Sequence, residues 1–98
     1  MYKPLPEYLT ISQSKIDGLG LFATKDIPEG TNLGITHIFD SKFENNYIRT
    51  PLGGFFNHSL SPNCKIVEFD RYLNLKTIKR IRKGEELTAV YTLYTPSM

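Results

Sequence analysis

Residues 53–64 read GGFFNHSLSPNC. Two glycines, two phenylalanines, two asparagines, a histidine and the chain's single cysteine crowd into this short stretch. A surface loop has no use for paired phenylalanines, and a core strand has none for the asparagines. Taken alone, the residues support three ordinary readings. Asn57-His58-Ser59 fits the N-glycosylation acceptor pattern of a secreted chain. His58 and Cys64 could share a metal. Or the stretch is a turn-rich loop, with Asn, Ser and Pro chosen for local hydrogen bonds and fixed φ.

Composition removes the first two. One cysteine makes no internal disulfide and suits a reducing, intracellular compartment, where the acceptor pattern has no meaning. Two histidines, His37 and His58, with one cysteine and no CxxC or HxxxH spacing make a poor ligand set, so no metal is expected. At 98 residues the chain is one domain, with 40% hydrophobic and 22% charged residues, a globular balance. Twelve basic and ten acidic residues leave a net charge of +2, too even to argue for direct nucleic-acid binding. Residues 65–83 hold seven Lys/Arg against two acids, which reads as a solvated face. No apolar run reaches membrane-spanning length, and the first residues do not resemble a secretory signal, so no membrane partner is expected.

Outward from this stretch, the chain is a series of short β-rich segments separated by Gly and Pro. Strands are predicted at 8–14, 19–27, 31–39, 65–69, 72–81 and 88–94, the fourth and fifth joined in a hairpin at Asp70-Arg71. Only 40–48 offers a helical turn, capped by Asp40 or Ser41. The fold class is mainly β. There is also an internal echo. Ile27-Pro28-Glu29-Gly30-Thr31-Asn32-Leu33 and Ile81-Arg82-Lys83-Gly84-Glu85-Glu86-Leu87 share the frame Ile-x-x-Gly-x-x-Leu. Each ends a strand on a buried Ile, turns at a Gly that tolerates positive φ and re-enters the core at Leu. The two hooks are expected to be related by a pseudo-two-fold, with the halves of the chain clasping each other.

Three segments carry chemistry: KIDGLGLF (15–22), FFNHSLSPNC (55–64) and GEELTAVYTLY (84–94). In this order and at these internal spacings they resemble the SET-domain protein lysine methyltransferases, over roughly residues 9–94. The first is similar to that family's Gly-x-Gly-Leu-Phe-Ala stretch, the second to its Asn-His-Ser signature, and the third to its Gly-Glu-Glu-Leu-Thr-x-x-Tyr ending. The resemblance implies a single minimal SET domain over 1–98. Its fold would be a β-clip of short strands and small sheets, with a knot-like C-terminal segment threaded under a preceding loop. It also implies S-adenosylmethionine as cofactor and the ε-amine of a protein or peptide lysine, in a histone or another protein, as acceptor. By resemblance Gly18, Leu19 and Gly20 offer backbone to the cofactor, while Asn57 bonds its methionine portion and His58 its adenine. Tyr91 matches the catalytic channel tyrosine that orients amine and methyl. Candidates for the lysine channel are Tyr47, Ile66, Ala89 and Tyr94. No motif singles out Tyr47, and Tyr94 is open between channel wall and plain core. Ile66 and Ala89 occupy the positions that limit methyl number, and neither donates a hydroxyl, which by resemblance leans toward more than one methyl per lysine.

Many relatives flank this domain with cysteine-rich zinc modules, and the one that follows it closes the channel. Here the chain runs four residues beyond Tyr94 with no cysteines for zinc. The alternatives for covering the cofactor are the 95–98 tail, a partner chain, including a homodimer that completes each site, or nothing, and an inactive relic of the family is a further reading. Two non-catalytic readings stand beside the enzyme: a β-clip binding module of the SAF type, suggested by residues 23–30, and a binder of lysine peptides without turnover. SAF-type modules lack the Asn-His-Ser signature and the terminal tyrosine.

Overall fold

A computed structural model describes residues 5–42 and 47–90. Tyr91 and Tyr94 lie outside the described residues.

Strands β1 (Leu9–Gln13) and β2 (Leu19–Ala23) form a hairpin whose turn carries Gly18 at φ +47°. They belong to a four-stranded sheet ordered β1-β2-β8-β5, where β5 is Asn57–His58 and β8 is Glu86–Ala89. The second sheet runs β4-β3-β7-β6, with β3 Asn32–Phe39, β4 Tyr47–Arg49, β6 Cys64–Phe69 and β7 Tyr72–Thr77. Sequence periodicity explains the second sheet well. Leu73, Leu75 and Thr77 alternate inward along β7, while Tyr72, Asn74 and Lys76 are less buried. Phe69 pairs with Tyr72, so the β6–β7 hairpin turns on Asp70-Arg71 as predicted, with Asp70 at φ 58°.

The two sheets share one core. Leu9, Leu21, Ala23 and Leu87 meet Leu33, Cys64 and Leu75, and Ile27, Leu52, Phe56, Ile81 and Ala89 join them. Phe56 is 1% exposed, so the phenylalanine preceding Asn57 anchors the signature from below. Burying such a ring is worth about 1.5–3 kcal/mol.

The hooks clasp as the echo suggested. Ile27 and Ile81 form an antiparallel bridge. Around it each hook repeats the other's bonds: Gly30 N donates to Thr77 O at 2.9 Å and Gly84 N to Ala23 O at 2.8 Å. Thr77 N likewise donates to Thr31 O at 3.0 Å and Ala23 N to Glu85 O at 2.9 Å. Gly30 and Gly84 both take positive φ, 82° and 91°.

Of the helical turn expected over 40–48, residues 43–46 lie outside the described residues, and the described flanks are not helical. Asp40–Lys42 is a turn in which Asp40 Oδ1 accepts from Lys42 N at 2.9 Å, and Tyr47–Arg49 is strand. The one short helix among the described residues, α1, is Pro51–Phe55. Thr50 caps it, its Oγ1 accepting from Gly53 N at 3.3 Å and donating to Ile35 O at 2.6 Å. A Thr cap followed by Pro is a proper helix start, but the two glycines behind it masked the signal. Gly53 is required by packing: a Cβ there would overlap the Thr36 carbonyl oxygen.

Candidate functional site

The signature is delivered by β5. Preceded by the buried Phe56, Asn57 and His58 lie parallel to β8, Asn57 opposite Thr88 and His58 opposite Ala89. Ser59 N extends the pairing to Ala89 O at 3.2 Å. Asn63, from the same signature, holds β8 from the other end of the loop. Its Oδ1 accepts from Thr88 N at 2.9 Å and its Nδ2 donates to Glu86 O at 2.8 Å. An asparagine side chain thus stands in for a strand neighbour beside β8. The SPNC half of the motif is structural, and Cys64 is buried beneath it with its thiol pKa pushed up to about 12 by desolvation.

Asn57 forms the centre of the site. Its Nδ2 lies 2.7 Å from Glu86 Oε2, 3.1 Å from Ser14 Oγ, 3.2 Å from Asp17 O and 3.3 Å from Leu19 O. All four partners act as acceptors, because Ser14 gives its only hydroxyl hydrogen to Glu86, 2.8 Å from each carboxylate oxygen. This surround assigns the amide: the nitrogen points in toward the β1–β2 turn and the oxygen points away. Of the three glycine-stretch residues, Gly18 is open, with nothing within 4 Å of where a Cβ would be. Leu19 is 53% exposed and Ile16, in the same turn, 52%. Gly20 is different. It is buried, and a Cβ there would overlap Glu86 Oε2, so its missing side chain makes room for that carboxylate.

The channel candidates are spread more widely. Ala89 is fully buried in the core. Ile66 is half-buried on β6, opposite Leu75, and packs on the same core. Tyr47 sits on β4, opposite Phe39, with ring centroids 5.8 Å apart and nearly perpendicular. By register Tyr47 and Ile66 share one face of the sheet, but they lie on its two edge strands. Three strand spacings alone separate them by about 14 Å, and their registers are offset along the strands as well. Between them stands His37, buried and 6.1 Å from the Tyr47 ring. Burial, assisted by the Arg49 charge, holds the imidazole pKa below its ordinary value. Tyr47 also lines a cavity of about 190 Å³ with Phe39, Glu68, Arg71 and Tyr72 among its walls.

Sequence reasoning overlooked Glu86, Ser14 and His37. Glu86 was visible inside the GEELT frame, but its role was not. Ser14 belongs to none of the motifs, and His37 stands in the sequence only as a candidate metal ligand.

Comparison with known proteins accounts for this arrangement. The SET domain family model matches residues 35–92. Histone-lysine N-methyltransferase 2D of Homo sapiens and that of Mus musculus are each 33% identical over 113 aligned positions, covering 83% of this chain. The chain spans 2% of the length of those two proteins. Among solved structures, the methyltransferase domain of human PR domain-containing protein 2 superposes with a TM-score of 0.72 at 24% identity, covering 96% of this chain and 84% of that one. The SET domain of the RIZ1 tumor suppressor superposes at 0.69, also at 24% identity, covering 90% and 71%. With the family model matching more than half of its length, and with the signature strand lying against the GEELT strand as described, this chain belongs to the SET-domain family.

Proposed function

We propose that this SET domain is a protein-lysine methyltransferase, dependent on S-adenosylmethionine and acting on a protein or peptide lysine such as one in a histone. The observation that carries the reading is the register of β5 on β8. It sets the Asn57 amide over the Gly18 turn, and Tyr91 follows Ala89 by two residues in the sequence. The relatives, histone-lysine N-methyltransferases among them, support the same reading.

The residues present suit this cofactor. The outward amide oxygen of Asn57 is an acceptor placed for the ammonium of an amino acid. The open backbone at Gly18 admits a close ligand, and exposed Ile16 and Leu19 offer apolar surface to a flat base. When bound, S-adenosylmethionine supplies the transferable methyl group. The chain's own work is to bind, align and exclude water. An acceptor lysine, ordinarily protonated with a pKa near ~10.4, must become neutral, and an apolar channel favours that form. Ile66, Ala89 and Tyr94 are the proposed walls and Tyr91 the catalytic residue that orients the amine, whereas Tyr47, on the opposite edge of the sheet from Ile66, does not share that channel. With Ile66 and Ala89 lacking hydroxyls, the proposed product carries more than one methyl.

The test is calorimetric titration with S-adenosylmethionine, followed by turnover on histone peptides, for wild type, Asn57→Ala and Tyr91→Phe. Saturable binding lost in Asn57→Ala, with turnover but not binding lost in Tyr91→Phe, is the expected result. No saturable binding by wild type at millimolar ligand would remove the enzyme reading. Binding without turnover on any lysine peptide would leave a non-catalytic binder.

A further inference from the structure

We propose that Ser14 and Glu86 are positioning residues that lock the Asn57 amide with its nitrogen inward, so that its oxygen alone is presented to the amino-acid portion of the cofactor. The proposal rests on the cofactor reading above and adds to it a device made of residues from three distant segments.

The geometry is specific. Glu86 lies 72 residues from Ser14 and 29 from Asn57 along the chain, yet the three side chains meet within hydrogen-bonding distance. Ser14 is tied to its own turn: its N donates to Gly18 O at 2.8 Å, and its Oγ accepts from Ile16 N at 2.9 Å. The serine that shapes the turn opposite the cofactor therefore also holds Glu86. Glu86 in turn occupies the space left by the absent Cβ of Gly20.

An amide that can flip offers a ligand either a donor or an acceptor. Here a flip would set Oδ1 against the Glu86 carboxylate and against the carbonyls of Asp17 and Leu19, leaving acceptors facing acceptors. Those contacts forbid the flip, and the carboxylate polarises the amide toward greater negative charge on Oδ1. The result is a fixed acceptor that distinguishes an ammonium from a carboxylate before any ligand arrives.

The experiment compares wild type, Glu86→Gln and Ser14→Ala, each first checked for a cooperative thermal melt. Two readouts are taken. The first is the side-chain amide signal of Asn57 in the unliganded ¹⁵N-labelled protein. In wild type it is expected away from the free-amide position and slow to exchange, and in both variants moved back toward it. The second is calorimetric affinity for S-adenosylhomocysteine and for 5′-methylthioadenosine, which lacks the amino and carboxyl groups. Glu86→Gln is expected to weaken the first ligand roughly tenfold or more, as loss of a charge-assisted hydrogen bond implies. It should leave the second unchanged, and it should cost nothing further when added to Asn57→Ala. A wild-type amide signal in both variants, equal losses for the two ligands, or additive losses with Asn57→Ala would each overturn the proposal. Failure of wild type to bind either ligand would count against the cofactor reading instead, and the amide signal would still decide whether Ser14 and Glu86 hold Asn57.

Discussion

Ile27 and Ile81 exchange both of their backbone hydrogen bonds, Ile27 N to Ile81 O at 2.8 Å and Ile81 N to Ile27 O at 2.9 Å, while both side chains sit in the core. Each lies at the end of one hook, so the bridge joins the chain's two half-motifs at their common centre. Ile81→Ala removes fully buried methyl groups and is expected to cost about 2–5 kcal/mol. Ile27→Ala should cost a similar amount, and the double variant less than the sum, because the two share one cavity. Equilibrium urea unfolding of the three variants checks this.

Gly18 and Gly20 are expected to fail in different ways. At Gly18 the backbone is left-handed at φ +47° but the surroundings are open, so Gly18→Ala should cost only about 1–2 kcal/mol of stability. At Gly20 a methyl would overlap Glu86 Oε2 and force that carboxylate away from Asn57. Gly20→Ala should therefore lower cofactor affinity by roughly tenfold or more, on the scale of a lost charge-assisted hydrogen bond. Thermal melts and calorimetry on the pair of variants separate strain from displacement.

Cys64 is expected to be silent toward thiol reagents in the folded protein. It is 1% exposed and its pKa is pushed up to about 12, so at pH 8 the thiolate is roughly a thousandfold scarcer than in an unfolded chain. The rate of labelling by Ellman's reagent should follow unfolding rather than reagent concentration. A fast stoichiometric reaction in native buffer would contradict the burial.

Stability should fall on the acid side of neutrality because of His37. Its folded pKa is held below the ordinary value of 6.5 by burial and Arg49, so the unfolded state takes up a proton first as pH falls. The stabilisation is complete above that ordinary value and is lost as pH drops from it toward the lower folded value. His37→Gln should flatten this limb of the curve. Melting temperatures between pH 8 and pH 5 for the two proteins give the comparison.

Asn63 shows how much of the signature serves the fold. Asn63→Ala removes the side-chain bonds to Thr88 N and Glu86 O, two part-buried contacts that hold β8. The expected cost is about 1–3 kcal/mol in total. Hydrogen exchange at Thr88 should accelerate in this variant, which a purely local loop defect would not produce.

Local order was legible in the amino-acid sequence because its causes are local. Alternation along 72–77 places Leu73 and Leu75 inward whatever the neighbouring strand, and Asp70-Arg71 makes the turn between two apolar runs. The repeated frame around Ile27 and Ile81 even announced a contact across more than half the chain, since both copies demand the same buried Ile and the same positive-φ Gly. The helix at Pro51–Phe55 was hidden for the opposite reason. Its glycines oppose helix locally, and only docking on Thr36 makes Gly53 an asset. Asn57 was identifiable from its motif, but the direction of its amide was not. That direction depends on Glu86 and Ser14, which reach it because β8 runs between β2 and β5. Side-chain type and spacing settle what a residue can donate or accept, whereas only the pairing of distant strands settles which of its atoms faces out.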